Sequence, residues 1–198
     1  LMDRDQLSFD RIPFDENYWY ADPILVTQGG KEYLLMESFD MRTQLGSIAC
    51  SAFDDKGKLS QPRIIIQETY HMSFPMVFSW NDTLYMIPET CENRSLNLYR
   101  CEGDIYNWSL VKSFPVEEAL VDTVAVACRE DSVELITSAI HQTHMRKFKW
   151  QKFLLRKDGE EDIENNVYSF AELAGYEIPD PYGKDIEAYR YVFGLLAK

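Results

Sequence analysis

Two glutamates recur at one offset: Glu37 lies fifteen residues after Asp22, and Glu89 fifteen after Phe74. Asp122 occupies the anchor position a third time, so the acids that share the pattern are Asp22, Glu37, Glu89 and Asp122. Carboxyl groups held together in different surroundings titrate apart. One then serves as acid while another stays ionised, which is what making or breaking a glycosidic bond requires. The four therefore read as a sugar-binding or acid/base cluster. The structural alternative is that they accept hydrogen bonds from backbone amides, or from Arg100 and Arg94, and lock neighbouring elements together.

Other side chains near these positions suit the same chemistry. Trp19, Tyr20 and Trp80 offer flat apolar faces on which a sugar ring can stack, and His71 and Arg100 add polar contacts. His141 and His144 form an HQTH pair with no third ligand at a recognisable spacing, so no metal site is expected. The chain contains no Gly-rich phosphate loop, no G-x-S-x-G elbow and no dinucleotide fingerprint, and no cofactor is expected.

What must position the acids is a repeat. The stretches ADPILVTQGGKEYLLMESF, FPMVFSWNDTLYMIPETC and VDTVAVACREDSVELITS align on Asp22, Phe74 and Asp122, which are 52 and 48 residues apart. In each, an apolar strand meets a polar turn (QGGK, WND or REDS) and a second strand returns, as in a hairpin. Ser138, sixteen residues after Asp122, stands near the place that the glutamates take in the first two copies. Each hairpin is followed by a second strand pair: LGSIACSAF with RIIIQ, SLNLYRCE with WSLVKSF, and RKFKWQKFLL beginning the third. A period near 50 with four strands per unit is typical of propeller blades. The expected fold is all-β and propeller-like, with about three recognisable four-stranded blades forming an incomplete propeller. It should span residues 1–158, followed by a linker and short helical tail over 159–198.

Composition narrows the partners. With 33 acidic against 20 basic residues the formal charge is -13, so a nucleic-acid partner is not expected. No apolar run long enough to span a bilayer occurs, and the reading is of a soluble, cytoplasmic protein. Cys50, Cys91, Cys101 and Cys128 lack disulfide-framework spacing and read as small packing residues.

The segments WYADPILV, YLLMESF, HMSFPMVFSWNDTLYMIPETCENRSLNLYRC, WSLVKSF, ALVDTVAV and ELITS together resemble the five-bladed propeller domain of the glucosamine inositolphosphorylceramide transferase N-terminal family. That domain occurs in plant glycosyltransferases and in bacterial proteins. More distantly the architecture is similar to glycoside hydrolases of family 43. On that comparison Asp22 matches the catalytic base and Asp122 lies near the acid, with Glu89 the further catalytic candidate. Phe74 stands where those hydrolases carry another aspartate. The resemblance implies a glycan-related module that binds a saccharide or nucleotide-sugar acceptor. It also leaves open a glycosidase or glycosyltransferase, or a scaffold that binds protein, and association with another chain to complete the propeller.

The final segment, VYSFAELAGYEIPDPYGKDIEAYRYVFGLLAK, reads as a helix over 169–174, a Pro-Asp-Pro turn and a helix from Lys184. It resembles the C-terminus of low-molecular-weight protein tyrosine phosphatases, with Asp180 at the position of the loop acid. The nucleophile's Cys-x5-Arg loop is missing, because the residues six after the four cysteines are Lys56, Asn97, Asn107 and Glu134. No phosphatase chemistry is expected without it.

Overall fold

The computed structural model describes residues 15–139, 149–156 and 166–169, with side chains over 15–138; the HQTH pair and the expected tail helices, except Ser169, which ends a strand, lie outside these residues. Twelve strands form three four-stranded antiparallel sheets, each in chain order. The first contains β1 (Tyr18–Gln28), β2 (Lys31–Asp40), β3 (Leu45–Ala52) and β4 (Arg63–Ile66). The second contains β5 (Ser73–Trp80), β6 (Thr83–Glu89), β7 (Ser95–Cys101) and β8 (Trp108–Pro115). The third contains β9 (Leu120–Cys128), β10 (Ser132–Ala139), β11 (Lys149–Arg156) and β12 (Asn166–Ser169). The strand β12 pairs with β11, so residues 166–169 join the third sheet.

The sheets pack through their inner strands, β5 against β1, β2 and β3, and β9 against β5 and β6. Both interfaces are apolar. Between the first two sheets lie Leu35, Ile48, Met72, Met86 and Tyr99, and between the second and third lie Phe78, Ile87, Leu98, Leu120 and Val133. Successive residues of the middle sheet serve opposite sides, Met86 one and Ile87 the other, because side chains alternate across a strand. A sheet buried on both faces explains why β6 reads as a nearly continuous apolar run and why β7 is buried along its length except at Arg100.

The repeat has a backbone signature. In each inner strand two residues oppose one on the partner strand: Asp22-Pro23 opposite Met36, Phe74-Pro75 opposite Pro88, and Asp122-Thr123 opposite Thr137. The first residue of each bulge has a left-handed backbone, with φ of 50° at Asp22, 40° at Phe74 and 51° at Asp122. Register then matches Glu37 to Ala21, Glu89 to Ser73 and Ser138 to Val121, each partner being the residue before a bulge. The extra residue that puts Ser138 one place late is absorbed in β9, where Val126 has no partner between Ala125 and Ala127.

The β5–β6 hairpin turns through Asn81 and Asp82, with φ of 49° and 60°. Two positive values in a two-residue loop are the type I′ geometry, which favours Asn followed by Gly. Asp82 is exposed, whereas Asn81 donates from Nδ2 to the Glu130 carbonyl at 3.0 Å. We expect Asp82→Gly to raise stability by about 0.5–1 kcal/mol, because glycine takes the left-handed backbone without the Cβ cost. Denaturant unfolding of the two proteins measures the difference.

Candidate functional site

The three bulges lie where the inner strands begin, and the acids gather there. Asp22 Oδ2 accepts a hydrogen bond from the Phe74 amide at 3.3 Å, tying the first sheet to the second bulge. Glu89 Oε2 accepts from the Asp122 amide at 3.2 Å, tying the second sheet to the third. These bonds take up the amides of two bulged residues. They also explain the Pro-Glu pair that closes β6: Glu89, on the same strand face as Ile87, points toward the third sheet.

Glu37 stands in the register position of Glu89 but holds no bulge amide, since Asp22 already takes the one from Phe74. Its residue is 4% exposed, and its enclosed Oε1 atom faces His71 Nε2 at 3.3 Å. Burial, then the charges of Asp22 and Glu89, push its carboxyl up to about 7. Burial also raises Glu89, partly offset by the Asp122 amide, and it raises Asp122, with Asp22 adding to the effect. Asp122 remains exposed at the surface. Among the described residues no three His, Cys, Asp or Glu side chains are arranged to hold a metal ion.

His71 is placed by its backbone. The Met72 amide donates to the Gly46 carbonyl at 3.0 Å, and the Gly46 amide donates to His71 Nδ1 at 3.1 Å. With Nδ1 accepting, a neutral ring carries its proton on Nε2, and that atom lies 3.3 Å from Glu37 Oε1. The imidazole fits only because residue 46 is glycine. A Cβ there would stand 2.5 Å from the Met72 carbonyl oxygen, 2.7 Å from His71 Cε1 and 2.9 Å from Glu37 Oε1. Phe39 flanks the ring at 5.9 Å between centroids and stacks on Trp19 at 4.9 Å. Trp19, 42% exposed, therefore ends an aromatic ledge that runs to Glu37 through Phe39 and His71.

The structure thus brings together Asp22, Glu37, Glu89, Asp122, His71 and, through Phe39, Trp19. Two expected members, Trp80 and Arg100, sit elsewhere. Trp80 is buried at the opposite end of β5, where its Nε1 donates to the Arg129 carbonyl at 2.7 Å, so it fastens two hairpin turns and offers no face to a sugar. Arg100, near the end of the third strand β7, pairs with Glu102 at 2.9 Å and holds none of the four acids. Tyr20 pairs in register with Ser38, the neighbour of Glu37, and burial, then Asp15 and Tyr18, raise its phenol. Sequence reasoning missed Gly46 and Phe39, because nothing in the repeat marks the two places where His71 would be seated.

A family model described as "Glucosamine inositolphosphorylceramide transferase 1, N-terminal" matches residues 8–154. The chain is 39% identical over 120 residues to glucosamine inositolphosphorylceramide transferase 1 of Arabidopsis thaliana, a match covering 60% of this chain and 15% of that protein. It is 32% identical over 107 residues to the protein of the same name from Oryza sativa subsp. japonica, covering 54% of this chain and 14% of that one. The chain therefore spans about 15% of the length of the curated relatives it matches. Among solved structures, it is similar to a β-fructofuranosidase from Schwanniomyces occidentalis complexed with fructosyl-erythritol. The TM-score is 0.55 at 11% identity, over 78% of this chain and 36% of that one. The catalytic domain of a GH62 α-L-arabinofuranosidase from Coprinopsis cinerea gives a TM-score of 0.52 at 12% identity, over 75% of this chain and 49% of that one. At such identities the likeness is one of fold, and it agrees with the propeller-like succession of sheets.

Two outcomes are expected from this geometry. Gly46→Ala forces a methyl group against a backbone oxygen and the imidazole, so it should destabilise the chain by about 1–3 kcal/mol, read as a lower melting temperature. The second concerns pH. Glu37 binds its proton more tightly folded than unfolded, so the stability it contributes is fully present below its ordinary value near 4.5 and is lost as pH rises through about 7. Glu89 and Asp122, also raised, act in the same direction. The melting temperature should fall between pH 5 and pH 8, and Glu37→Gln, which keeps the neutral shape, should remove a share on the order of 3 kcal/mol. Thermal scans across that range compare the two.

Proposed function

Because this chain belongs to the glucosamine inositolphosphorylceramide transferase 1 N-terminal family, we propose that it is a glycan-related propeller module that binds a saccharide or nucleotide-sugar acceptor, accessory to glycoconjugate or polysaccharide synthesis. The observation that carries this reading is the gathering of Asp22, Glu37, Glu89 and Asp122 at one end of the inner strands, next to the Trp19–Phe39–His71 ledge. Carboxylates beside an aromatic face are the pairing that a sugar uses: its hydroxyls donate to the acids and its C–H face lies on the ring.

A second reading is catalytic. A carboxyl near neutrality beside another acid is suited to donate a proton to a leaving glycosidic oxygen, which favours Glu37 as the acid over Glu89, whose carboxylate is engaged by the Asp122 amide. Turnover of aryl glycosides that is lost in Glu37→Gln supports this reading, and binding without turnover supports the accessory module.

The binding test uses a panel of glycans and nucleotide-sugars against the parent chain, Glu37→Gln and Asp122→Asn, with melting temperature measured alongside. Losing a hydrogen-bonded carboxylate should cost about 1.5–3 kcal/mol of binding, roughly ten- to a hundredfold in affinity. Asp122→Asn keeps the backbone amide that Glu89 holds, so its melting temperature should change little. A large loss of melting temperature in these variants, with no ligand found for the parent, would return the acids to a role as fasteners between sheets.

A further inference from the structure

The second sheet carries a motif that has no part in the acid cluster. Each of its three hairpin connections holds an asparagine followed two residues later by a serine or threonine: Asn81-Asp82-Thr83 between β5 and β6, Asn93-Arg94-Ser95 between β6 and β7, and Asn107-Trp108-Ser109 between β7 and β8. None has proline in the middle, so all three show the pattern at which a glycan is joined to the asparagine amide. Turn chemistry alone favours asparagine in such connections, but it does not ask for the hydroxyl two residues on. The three are also the accessible asparagines of this sheet. All are exposed, whereas Asn97, 1% exposed and bonded to Tyr70 and Ser113, lacks the hydroxyl and is outside the motif.

A transferase must reach both the amide and the hydroxyl, and the fold treats the three copies differently. At Asn93 the amide donates to the motif's own hydroxyl, Ser95 Oγ, at 2.9 Å, and Ser95 is 6% exposed. At Asn81 the amide is held by the Glu130 carbonyl at 3.0 Å, and Thr83 opens β6, a strand with neighbours on both sides. At Asn107 the backbone closes the turn, its amide donating to the Asp104 carbonyl at 2.7 Å and its carbonyl accepting from the Glu102 amide at 2.9 Å. The exposed part of Asn107 is thus its side chain. Its hydroxyl partner, Ser109, lies half-buried on the edge strand β8 and donates to the carboxylate of Glu102, itself an exposed residue.

We propose that Asn107 is the acceptor of an N-linked glycan in the folded chain, and that Asn81 and Asn93 accept one only before their strands form. The donor is a polyprenyl diphosphate-linked oligosaccharide. The Asn107 Nδ2 atom forms a bond to the anomeric carbon of the sugar, the bond from that carbon to the diphosphate oxygen breaks, and the proton that Nδ2 gives up leaves with the lipid diphosphate. Such transfer belongs to exported chains, so the modification replaces the cytoplasmic expectation with export. The β7–β8 turn is at the end of the sheet opposite Glu89, so a glycan there leaves the acid cluster uncovered.

Two incubations of the whole chain test this. In the first, the folded protein meets a purified single-subunit oligosaccharyltransferase and its lipid diphosphate-linked oligosaccharide, and intact mass with peptide mapping reads the sites. We expect a glycan at Asn107, with occupancy at Asn81 and Asn93 at least about tenfold lower, because those two need local opening first. Asn107→Gln should abolish the product, and mapping of the parent protein assigns the site should that variant not fold. In the second, the chain is translated behind a secretory leader with microsomes, where the transferase meets it unfolded, and all three asparagines should be occupied. No transfer to the folded chain, or transfer at Asn93 as ready as at Asn107, would overturn the assignment of Asn107. A chain that gains no glycan in the microsomes would overturn the motif itself.

Discussion

A bulged strand leaves one amide without its ladder partner, and the carboxylates of this protein are arranged around that deficit. At Phe74 and Asp122 the unpaired N–H lies in a left-handed residue at the start of an inner strand, and in both cases the acceptor comes from the preceding sheet. The acids are therefore structural and chemical together. Asp22 and Glu89 fix the stagger of neighbouring sheets, and by doing so they bring two negative charges to Glu37, which burial already disfavours as an anion. Cross-sheet fastening and a raised carboxyl are two results of one arrangement.

Holding that arrangement has a cost. A left-handed backbone at a non-glycine residue costs about 1–3 kcal/mol, and three such residues occur at the same place in three sheets. Aspartate tolerates this backbone better than most residues, but Phe74 does not, so the geometry there is imposed by its surroundings. Those surroundings are the two apolar interfaces: fully buried Met86, Leu35 and Ile48 on one side, and buried Ile87 and Val133 on the other. Further along the chain, Trp80 and Asn81 fasten the β5–β6 turn to the turn after β9. The middle sheet is thereby held at both ends, and the strained ends of its inner strands keep their positions.

Much of this was legible in the sequence because it repeats. Counting from Asp22, Phe74 and Asp122 placed the hairpins, the second strand pairs and the equivalence of Glu37 with Glu89, and the register agrees. What counting does not supply is the direction in which a side chain points across a gap between sheets. Trp80 was grouped with Trp19 as an aromatic near the acids. It instead shares a strand face with Phe78 at the far end of β5 and packs toward the third sheet. In the sequence Arg100 is a cation available to the acids, yet in the fold Glu102, two residues on, takes it. The seat of His71 was hidden for another reason: it depends on a side chain that is missing, at Gly46, in a different sheet.

The two sheet interfaces perform one task with different acids. Between the second and third sheets the glutamate that ends β6 holds the bulge amide; between the first and second the bulge aspartate does so, and the corresponding glutamate faces His71 instead. Redundancy of this kind is what duplication supplies to a fold. Once one copy of a tandem unit has two acceptors for a single donor, the surplus group is released from its architectural duty and can be recruited to chemistry without loosening the joint. Innovation within a repeat thus begins at the copy whose acid the joint does not need.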